Sequence, residues 1–174
     1  MKILIDTREQ KPLDFSCETE RATLSTGDYS LGGFVDSFCI ERKSISDLIG
    51  TIDFRNRDRF RRECERMRSC RFYALVIDGT KDDIKTHCEK LYKTQNWQYV
   101  AKKKKGYKGR APMRPECRVP SVFGTLDALR VDYNLHYYFT GGRVASAVLI
   151  ENFATYFLRE SKNNPNRAIE ERNK

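Results

Sequence analysis

Charged side chains at alternate positions mark the segment around Glu41, which directly follows an apolar run over residues 38–40. Alternate side chains of a β-strand project from the same face, so a strand here places Glu41 beside Lys43. A carboxylate can hold a divalent metal ion, and a neighbouring ammonium group can orient an attacking water or neutralise a phosphate. The backbone carbonyl of Arg42, between the two, is a further candidate metal ligand. These residue types are the equipment of a metal-dependent phosphodiesterase.

Two other acids could join Glu41 at a metal ion. Asp6 ends a predicted buried strand over 2–6, and Asp28 lies in a Gly-Asp-Tyr turn. Mg²⁺ prefers hard oxygen ligands, so three converging carboxylates could hold it. These acids also have structural explanations. Acids near a Glu-x-Lys pair occur by chance in charged proteins, and Asp28 could be present only because aspartate is favoured in turns.

The charge of the chain favours a polyanionic partner. Its 174 residues, enough for one domain, include 33 Lys and Arg against 24 Asp and Glu, giving a formal net charge of +9. Nucleic acid is the first candidate, followed by a ribosome-like or membrane-surface role. No apolar stretch approaches the roughly 20 residues of a membrane span, and the N-terminus does not resemble a signal peptide. We therefore expect an intracellular protein without a membrane partner.

Hydrophobic periodicity predicts a mixed sheet with helices on both sides, an α/β sandwich. We expect Ser44 to cap the helix that follows Glu41, and the apolar spacing of Phe60, Cys64 and Met67 to form a buried stripe. The six cysteines contain no C-x-x-C pair and are expected to be reduced thiols. The pattern predicts strands over 2–6, 34–42, 72–78 and 135–139, an edge hairpin of 21–25 with 29–31, and helices over 45–50, 56–69, 81–93, 121–132 and 143–159.

Basic residues are concentrated between 94 and 118, where no apolar period is visible. We interpret this segment as a mobile basic insertion that contacts the DNA backbone, with Trp97, Tyr99 and Tyr107 available to stack on unpaired bases. A solvated loop or a nuclear address are the alternatives. Arginines also recur on one face of the predicted helix over 56–69 and its start. This face either contacts phosphate or is simply solvated, and its members are Arg55, Arg59, Arg62 and Arg66. The predicted DNA-binding residues of the insertion are Lys102, Lys103, Lys104, Lys105, Lys108 and Arg110.

Three linked motifs resemble the nuclease domain of the XPF family of structure-specific DNA endonucleases. They are the Ile-Leu-Ile-Asp-Thr-Arg-Glu string over 3–9, the Gly-Asp-Tyr turn over 27–29, and the E-R-K-x-x-x-D motif over 41–47. The resemblance covers about residues 2–159. It implies a restriction-endonuclease-like three-layer α/β sandwich, Mg²⁺ or Mn²⁺ as the cofactor, and branched or flapped DNA as the substrate. A tandem helix-hairpin-helix module, common in the family, does not follow residue 159 here; either the protein binds branched DNA without it or the sequence is part of a longer protein.

The resemblance also assigns site residues. Asp6, Asp28 and Glu41 match the metal-binding acids, and Lys43 matches the catalytic lysine. The predicted activity is hydrolysis of phosphodiester bonds near junctions in branched DNA. The alternatives are a non-catalytic DNA-binding subunit of a heterodimeric nuclease and a restriction-like nuclease without branch preference. Supporting positions, which orient the ligands or contact phosphate, are Arg8, Glu9, Arg42 and Asp47; for Asp47, a surface ion pair is the alternative.

The predicted last helix, 143–159, is apolar on more than one side, which indicates burial against the sheet and against a second chain. Family nuclease domains dimerise, so we expect a homodimer or heterodimer through this helix, although packing within one domain would also explain it. A Thr-Gly-Gly-Arg turn over 140–143 suits either a phosphate cradle or a tight strand-to-helix connection. No P-loop sequence is present, so no nucleotide cofactor is expected. The tail over 160–174 is predicted to be flexible and polar. We expect a microbial or viral cytoplasmic enzyme rather than a nuclear one, although a domain of a larger protein would look the same.

Overall fold

A mixed six-stranded sheet runs through the centre of the computed structural model, which describes residues 1–52 and 56–163. The strand order is β2-β1-β3-β4-β5-β6, with β1 Lys2–Asp6, β2 Glu18–Ala22, β3 Tyr29–Leu31, β4 Phe38–Ser44, β5 Phe72–Asp78 and β6 His136–Phe139. The helices are α1 Ile45–Ile52, α2 Arg57–Met67, α3 Lys81–Lys104, α4 Pro115–Tyr133 and α5 Arg143–Asn163.

The two faces of the sheet carry separate hydrophobic cores. Cys39, Leu75 and Ile77 pack with buried residues of α1 to α4 on one face. Ile40 and Val76, one position along the same strands, pack with α5 on the other face. Helices therefore cover both faces of a mixed sheet, and the predicted three-layer α/β architecture is confirmed.

Strand β4 holds the charged motif at its carboxyl end. β4 pairs antiparallel with β3 and parallel with β5, so it lies in the middle of the sheet. Ser44 then begins α1, because its Oγ accepts a hydrogen bond from the backbone N–H of Asp47 at 3.1 Å. The predicted cap and the predicted order of strand and helix are both observed.

The predicted edge hairpin is wrong. Instead of pairing with β3, β2 lies at the edge of the sheet and pairs in parallel with β1, with Lys2 opposite Glu18. Its residues are mostly exposed, so no alternation of apolar side chains identified its bounds or its partner. The strand predicted over 34–42 also begins later, at Phe38, because the backbone N–H of Phe38 donates to the carbonyl of Phe34 and closes a turn there.

The interpretation of residues 94–118 as a mobile insertion is also wrong. α3 continues to Lys104 and α4 begins at Pro115, so only residues 105–114 connect the two helices. A capping box at Thr80 starts α3, and a proline at the first position starts α4. The Arg118 side chain donates to Gln95 at 3.3 Å and links the helices. Long polar side chains propagate a helix without an apolar stripe, which is why periodicity missed it.

The remaining boundaries differ less. α2 buries Phe60, Cys64 and Met67 as predicted, while Arg55 lies outside the described residues. α5 extends to Asn163, so the predicted tail over 160–174 begins within a helix and its part from 164 onward lies outside the described residues. All six cysteines are free thiols, as expected. Within 1–52 and 56–163, no helix has the combination of length and apolar content needed to cross a bilayer.

Candidate active site

One cavity of about 410 Å³ is lined by all four residues that the sequence predicted to be catalytic. Asp6 comes from the end of β1, Asp28 from the turn before β3, and Glu41 and Lys43 from β4. Helix α2 contributes further lining side chains, including Glu63. The fold thus brings together Asp6 and Lys43, which are 37 positions apart in the sequence.

Glu41 and Lys43 form a buried, hydrogen-bonded pair at this cavity. The Lys43 Nζ lies 2.5 Å from Glu41 Oε1, and the Lys43 and Glu41 side chains are only 12% and 7% exposed. The ammonium also lies over the ring of Phe60, 4.9 Å from its centroid. Burial alone would lower the pKa of Lys43, but the charge and hydrogen bond of Glu41 outweigh it and leave the pKa raised. Lys43 is therefore a fixed positive charge at neutral pH.

Burial has the opposite consequence for the two neighbouring acids. Desolvation, together with the charge of Asp28, raises the pKa of Glu41 to about 8 despite the attraction of Lys43. Desolvation also raises the pKa of Asp28 to about 6, against the hydrogen bond that it accepts from the backbone of Arg42. Consequently, the two carboxylates are not readily ionised at the same time unless further positive charge is bound between them.

A glycine positions Asp28 beside β4. Gly27 has a φ of +76°, and a Cβ at this position would lie 2.5 Å from the Cys39 Sγ and 2.9 Å from the Ile40 carbonyl. The backbone N–H of Asp28 donates to that same carbonyl at 2.8 Å, and its Oδ2 accepts from the Arg42 N–H at 2.8 Å. Only glycine permits this close approach, so the Gly-Asp pair sets the distance between two acids of the cavity.

Asp6 differs from the other two acids because its carboxylate is already engaged. Oδ1 accepts from the backbone N–H of Arg8 at 2.8 Å and from its Nε at 2.7 Å. Oδ2 accepts from the Arg8 Nη2 at 3.0 Å and from the backbone N–H of Leu24 at 2.8 Å. The Arg8 guanidinium lowers the pKa of Asp6 to about 2. Asp6 therefore joins β1 to the segment after β2, with Arg8 as its partner.

Arg42 projects to the opposite side of β4 from Glu41 and Lys43. It forms an ion pair with Asp78, with its Nε 2.7 Å from Asp78 Oδ2, and donates to the Lys11 carbonyl at 2.9 Å. Ser146 of α5 in turn donates to Asp78. These bonds connect β4, β5, α5 and the loop after β1, which is an orienting network. Sequence reasoning missed Asp78 and Ser146, since an acid at a strand end carries no local signal of its partner.

The other supporting residues line a second, adjoining cavity. Glu9 and Asp47 lie there beside Arg42, and this cavity shares Asp28, Glu41 and Lys43 with the first. Asp47 is exposed, and its Oδ2 accepts from the Ser44 Oγ at 2.6 Å. The Ser44 hydroxyl thus holds Asp47 at the start of α1.

Sequence reasoning also missed Glu63, which lines the first cavity. The available signal was its position on α2, four residues after Arg59, because residues with this spacing share one face of a helix. The arginine-rich face of that helix was interpreted only as a site for phosphate contact or solvation. An acid on the same face therefore went unassigned.

The cavity has features that fit a hard cation. Asp28 and Glu41 offer carboxylate oxygens, and Thr26 Oγ1, which is buried among the lining residues, has no hydrogen-bond partner within the described ranges. An orphaned hydroxyl of this kind can be satisfied by a water bound to the ion. Across residues 1–52 and 56–163, no three His, Cys, Asp or Glu side chains are already gathered in a metal-binding cluster. The residues present therefore suit an ion that keeps several of its waters.

The predicted DNA-binding residues lie apart from the cavity. Lys102 to Lys104 form the last turn of α3, and Lys105, Lys108 and Arg110 lie in the segment that follows. All are exposed. Trp97 is 74% exposed, and Tyr107 is 48% exposed and lies 6.4 Å from Tyr99 in an edge-to-face arrangement. The basic side chains and aromatic rings thus occupy one end of the α3–α4 pair.

The apolar surface of α5 is only partly covered. Ala147, Ile150, Ala154 and Phe157 are buried against the sheet, whereas Val144 is 81% exposed and Val148 is 52% exposed. These valines line an apolar groove of about 840 Å³ with Tyr138 and Phe139 of β6. At the start of the helix, Thr140 Oγ1 bonds to Ser146 Oγ at 2.6 Å and to the Ile77 carbonyl at 3.0 Å, so the turn is a closed structural connection.

Comparison with known proteins agrees with this architecture. A sequence profile of the ERCC4 domain matches residues 5–153. A structure of XPF from Aeropyrum pernix superposes with a TM-score of 0.61 at 19% identity, covering 90% of this chain and 61% of that chain. XPF from Aeropyrum pernix in complex with DNA gives a TM-score of 0.60 at 19% identity, covering 91% of this chain and 66% of that chain.

The chain thus spans 61% of the length of the first of these XPF structures. A search of curated proteins found no match. The profile match extends over most of the chain, from β1 to α5, and includes all four predicted catalytic residues. On this evidence the chain belongs to the ERCC4-domain family, with the fold of the XPF nucleases.

Proposed function

We propose that this protein is a metal-dependent, structure-specific DNA endonuclease that hydrolyses phosphodiester bonds near junctions in branched or flapped DNA. The observation that carries the proposal is the convergence of Asp28, Glu41 and Lys43 on one cavity. Membership of the ERCC4-domain family and the likeness to XPF, one structure of which contains DNA, support it. The formal charge of +9 also suits a polyanionic substrate.

Asp28 and Glu41 would hold the cation, which we propose to be Mg²⁺ or Mn²⁺. The chemistry that such an ion supplies when bound is Lewis-acid activation of the phosphate and of a water. The two carboxylates must lose their protons to hold it, since their raised pKa values favour the neutral form when no positive charge is present. Their burial thus makes the site selective for a strong positive charge.

Lys43 would act by its charge and not as a base. Its raised pKa keeps the ammonium protonated at neutral pH, and the bond to Glu41 holds it at the cavity wall. A protonated amine cannot take a proton from water, but it can donate a hydrogen bond to a phosphate oxygen as negative charge develops there. Arg59 and Arg66, which line the same cavity, add positive charge for the neighbouring backbone.

DNA would also contact the basic end of the α3–α4 pair. Lys102, Lys103, Lys104, Lys105, Lys108 and Arg110 are exposed and close together in the chain. Salt-sensitive phosphate contacts are expected from such a cluster, and exposed Trp97 and Tyr107 can stack on unpaired bases.

The end of α1 and the start of α2 lie next to both the segment that follows α3 and the catalytic cavity. Met113, from the segment that connects α3 to α4, lines a pocket with Ile52 and Arg57. Thr51 and Asn56, their neighbours in the chain, line the catalytic cavity. A DNA strand that contacts both regions would therefore pass the end of α1 and the start of α2.

The groove between α5 and β6 would bind a second protein chain. It is apolar, it lies on an edge strand, and it includes the exposed Val144 and Val148. A second copy of this chain or a different subunit with the same fold could cover it. We propose that a homodimer or a heterodimer forms through α5 at this surface.

A cleavage assay tests the activity. Labelled flap, fork, four-way junction and linear duplex are incubated with the protein and Mg²⁺, beside Lys43→Ala and Asp28→Asn. Glu65→Gln, an exposed charge change on α2, is the matched control. We expect cleavage of branched substrates by the wild type and the control, and a decrease of at least about 100-fold in both site variants.

The other outcomes of this assay separate the alternatives. Equal activity in all variants would remove the mechanism. No cleavage by the wild type would favour a non-catalytic DNA-binding subunit. Cleavage of linear duplex as fast as branched DNA would favour a nuclease without branch preference.

A further inference from the structure

Helix α2 presents a carboxylate to the catalytic cavity. Phe60, Cys64 and Met67 are buried in the core and fix the rotation of the helix about its axis. The residues one position away, Arg59, Glu63 and Arg66, share the next face and line the cavity with Asp28 and Glu41. Glu63 therefore lines the same cavity as the two acids.

The Glu63 carboxylate has no protein partner within residues 1–52 and 56–163, where neither an ion pair nor a hydrogen bond engages it. It is half-buried, and its charge acts unfavourably on both Asp28 and Glu41. Besides the Asp6–Arg8 pair, three carboxylates line the cavity, and a cation bound near Asp28 and Glu41 would offset the repulsion that Glu63 adds to them. A cation bound in the cavity would supply positive charge near Glu63 and would explain why this carboxylate has no partner among the described residues.

Asp6 cannot readily fill the same role. Both of its oxygens already accept two hydrogen bonds each, from Arg8 and from the backbone of Leu24. Turning the carboxylate toward a cation would break the pair with Arg8 and leave the buried N–H of Leu24 without an acceptor, which alone costs about 1–3 kcal/mol. Glu63 has a longer side chain and no bonds to break.

We propose that Glu63, and not Asp6, supplies the third carboxylate of the cation site. Asp28 and Glu41 hold the ion, and Glu63 accepts a hydrogen bond from one of its bound waters. This inference rests on the proposed function, because it presumes a divalent cation between Asp28 and Glu41. Thr26, whose buried hydroxyl lacks a partner among the described residues, lies on the same cavity wall and can contact another of these waters. Asp6 then keeps β1 and the segment after β2 in place.

Binding of Mn²⁺ alone, measured by titration calorimetry without DNA, tests the inference. Glu63→Gln removes the charge with little change of shape, and Glu65→Gln makes the same change on the exposed side of α2. We expect Glu63→Gln to weaken Mn²⁺ binding about 10-fold or more, as removal of a water-mediated carboxylate does, and Glu65→Gln to leave it unchanged. Binding by Glu63→Gln at the wild-type affinity overturns the inference.

A second pair of variants tests the exclusion of Asp6. Asp6→Asn is measured below its melting transition, and Arg8→Ala releases the Asp6 carboxylate while keeping it in the chain. If Asp6 were a ligand, Asp6→Asn would weaken Mn²⁺ binding as Asp28→Asn does, and that result would overturn the inference. We expect neither variant to change the affinity by more than about twofold beyond the charge effect of Arg8.

Failure of the proposed function gives a different result. Asp28→Asn and Glu41→Gln must each abolish Mn²⁺ binding if the cation site exists. If both bind as tightly as the wild type, the cation site itself is refuted. If both fail to bind while Glu63→Gln binds normally, only the assignment of Glu63 is refuted.

Discussion

At the scale of single residues, burial decides how the acids of the cavity behave. Glu41 and Asp28 are removed from water without enough positive charge to keep both ionised, so their pKa values rise to about 8 and about 6. Asp6, whose side chain is also buried, has a guanidinium partner and its pKa falls to about 2. Three acids of one cavity thus have widely different pKa values for reasons of local geometry.

The raised pKa values predict how stability depends on pH. The folded chain binds more protons at Asp28 and Glu41 than the unfolded chain, so the free energy of unfolding falls as pH rises from about 4 to about 8. Asp6 acts in the other direction, but only below its usual value of 3.8. In a chelating buffer we expect the melting temperature to fall between about pH 5 and about pH 8.

Glu41→Gln is the matched variant for this prediction, because it removes the acid whose pKa is raised furthest in the cavity. We expect it to flatten the pH dependence of the melting temperature. Addition of Mn²⁺ to the wild type is expected to restore stability most strongly at high pH, where the ion no longer competes with protons. A wild-type melting temperature that rises steadily over this interval would contradict the assignment.

The sequence predicted part of this site well. The alternation of β4 is a local pattern, so it correctly placed Glu41 and Lys43 on one face, and the Gly-Asp turn correctly indicated where Asp28 would lie. The bonds of Asp6 to Leu24 and of Arg42 to Asp78 connect residues 18 and 36 positions apart. No local pattern encodes such pairs, so the distinction between a free and an engaged acid required the structure.

At the scale of elements, the turn before β3 determines the spacing of the cavity wall. Gly27 and Gly33 both have left-handed φ values, +76° and +82°, but only Gly27 is in close contact with a neighbouring strand. A Cβ at Gly33 meets nothing within 4 Å. The pair therefore separates the effect of backbone conformation from the effect of packing.

We expect Gly33→Ala to destabilise the protein by about 1 kcal/mol, from backbone strain alone. Gly27→Ala adds the clash with Cys39 and Ile40 and is expected to cost about 2 kcal/mol more. It also moves Asp28 away from β4, so cleavage and Mn²⁺ binding decrease with it. Denaturant unfolding of both variants measures the difference, and equal stability of the two would show that the close approach is unimportant.

The end of α3 carries a second element-scale prediction. Replacement of Lys103, Lys104 and Lys105 by Gln is expected to weaken DNA binding and to reduce the slope of log affinity against log salt by about 1 for each phosphate that a lysine no longer neutralises. The matched control replaces Lys85, Lys90 and Lys93, which are exposed nearer the start of the same helix. Fluorescence anisotropy at several salt concentrations measures both, and an equal effect in the two variants would indicate only a change of net charge.

Element boundaries show where sequence patterns carry too little information. The buried strand β5 was predicted with its observed bounds because its apolar run has clear ends. α3 was cut short because its second half buries no stripe; its buried residues, Ile84 and Cys88, lie near its start. The parallel pairing of β2 with β1 could not be predicted, since neither its exposed residues nor the intervening loop specifies a partner.

At the scale of the whole molecule, the catalytic cavity and the apolar groove lie on opposite faces of the sheet. The helices α1 to α4 cover the face that carries Glu41 and Lys43, while α5 covers the face of Arg42 and Asp78. The groove beside α5 is thus separated from the catalytic cavity by the thickness of the sheet. A partner bound at α5 would leave the cavity open to DNA.

The proposed dimer gives a prediction at this scale. Val148→Glu places a charge in the apolar groove, and we expect it to convert a dimer to a monomer in light scattering after size-exclusion chromatography. Val131→Glu is the control, because Val131 is 84% exposed on α4 outside the groove. A monomeric wild type would leave a heterodimer as the assembly to test, and an unchanged mass for Val148→Glu would exclude the groove as the contact.

The alternation of β4 also limits how the gene can change. Glu41 and Lys43 line the cavity, and Arg42 between them forms an ion pair with Asp78 on the other face of the sheet. One inserted or deleted codon within this strand would exchange the two sets, moving the guanidinium into the cavity and both cavity-facing charges into the packing beneath α5. Length variation among relatives is therefore expected in the connection over 105–114, while the spacing from Phe38 to Ser44 stays constant.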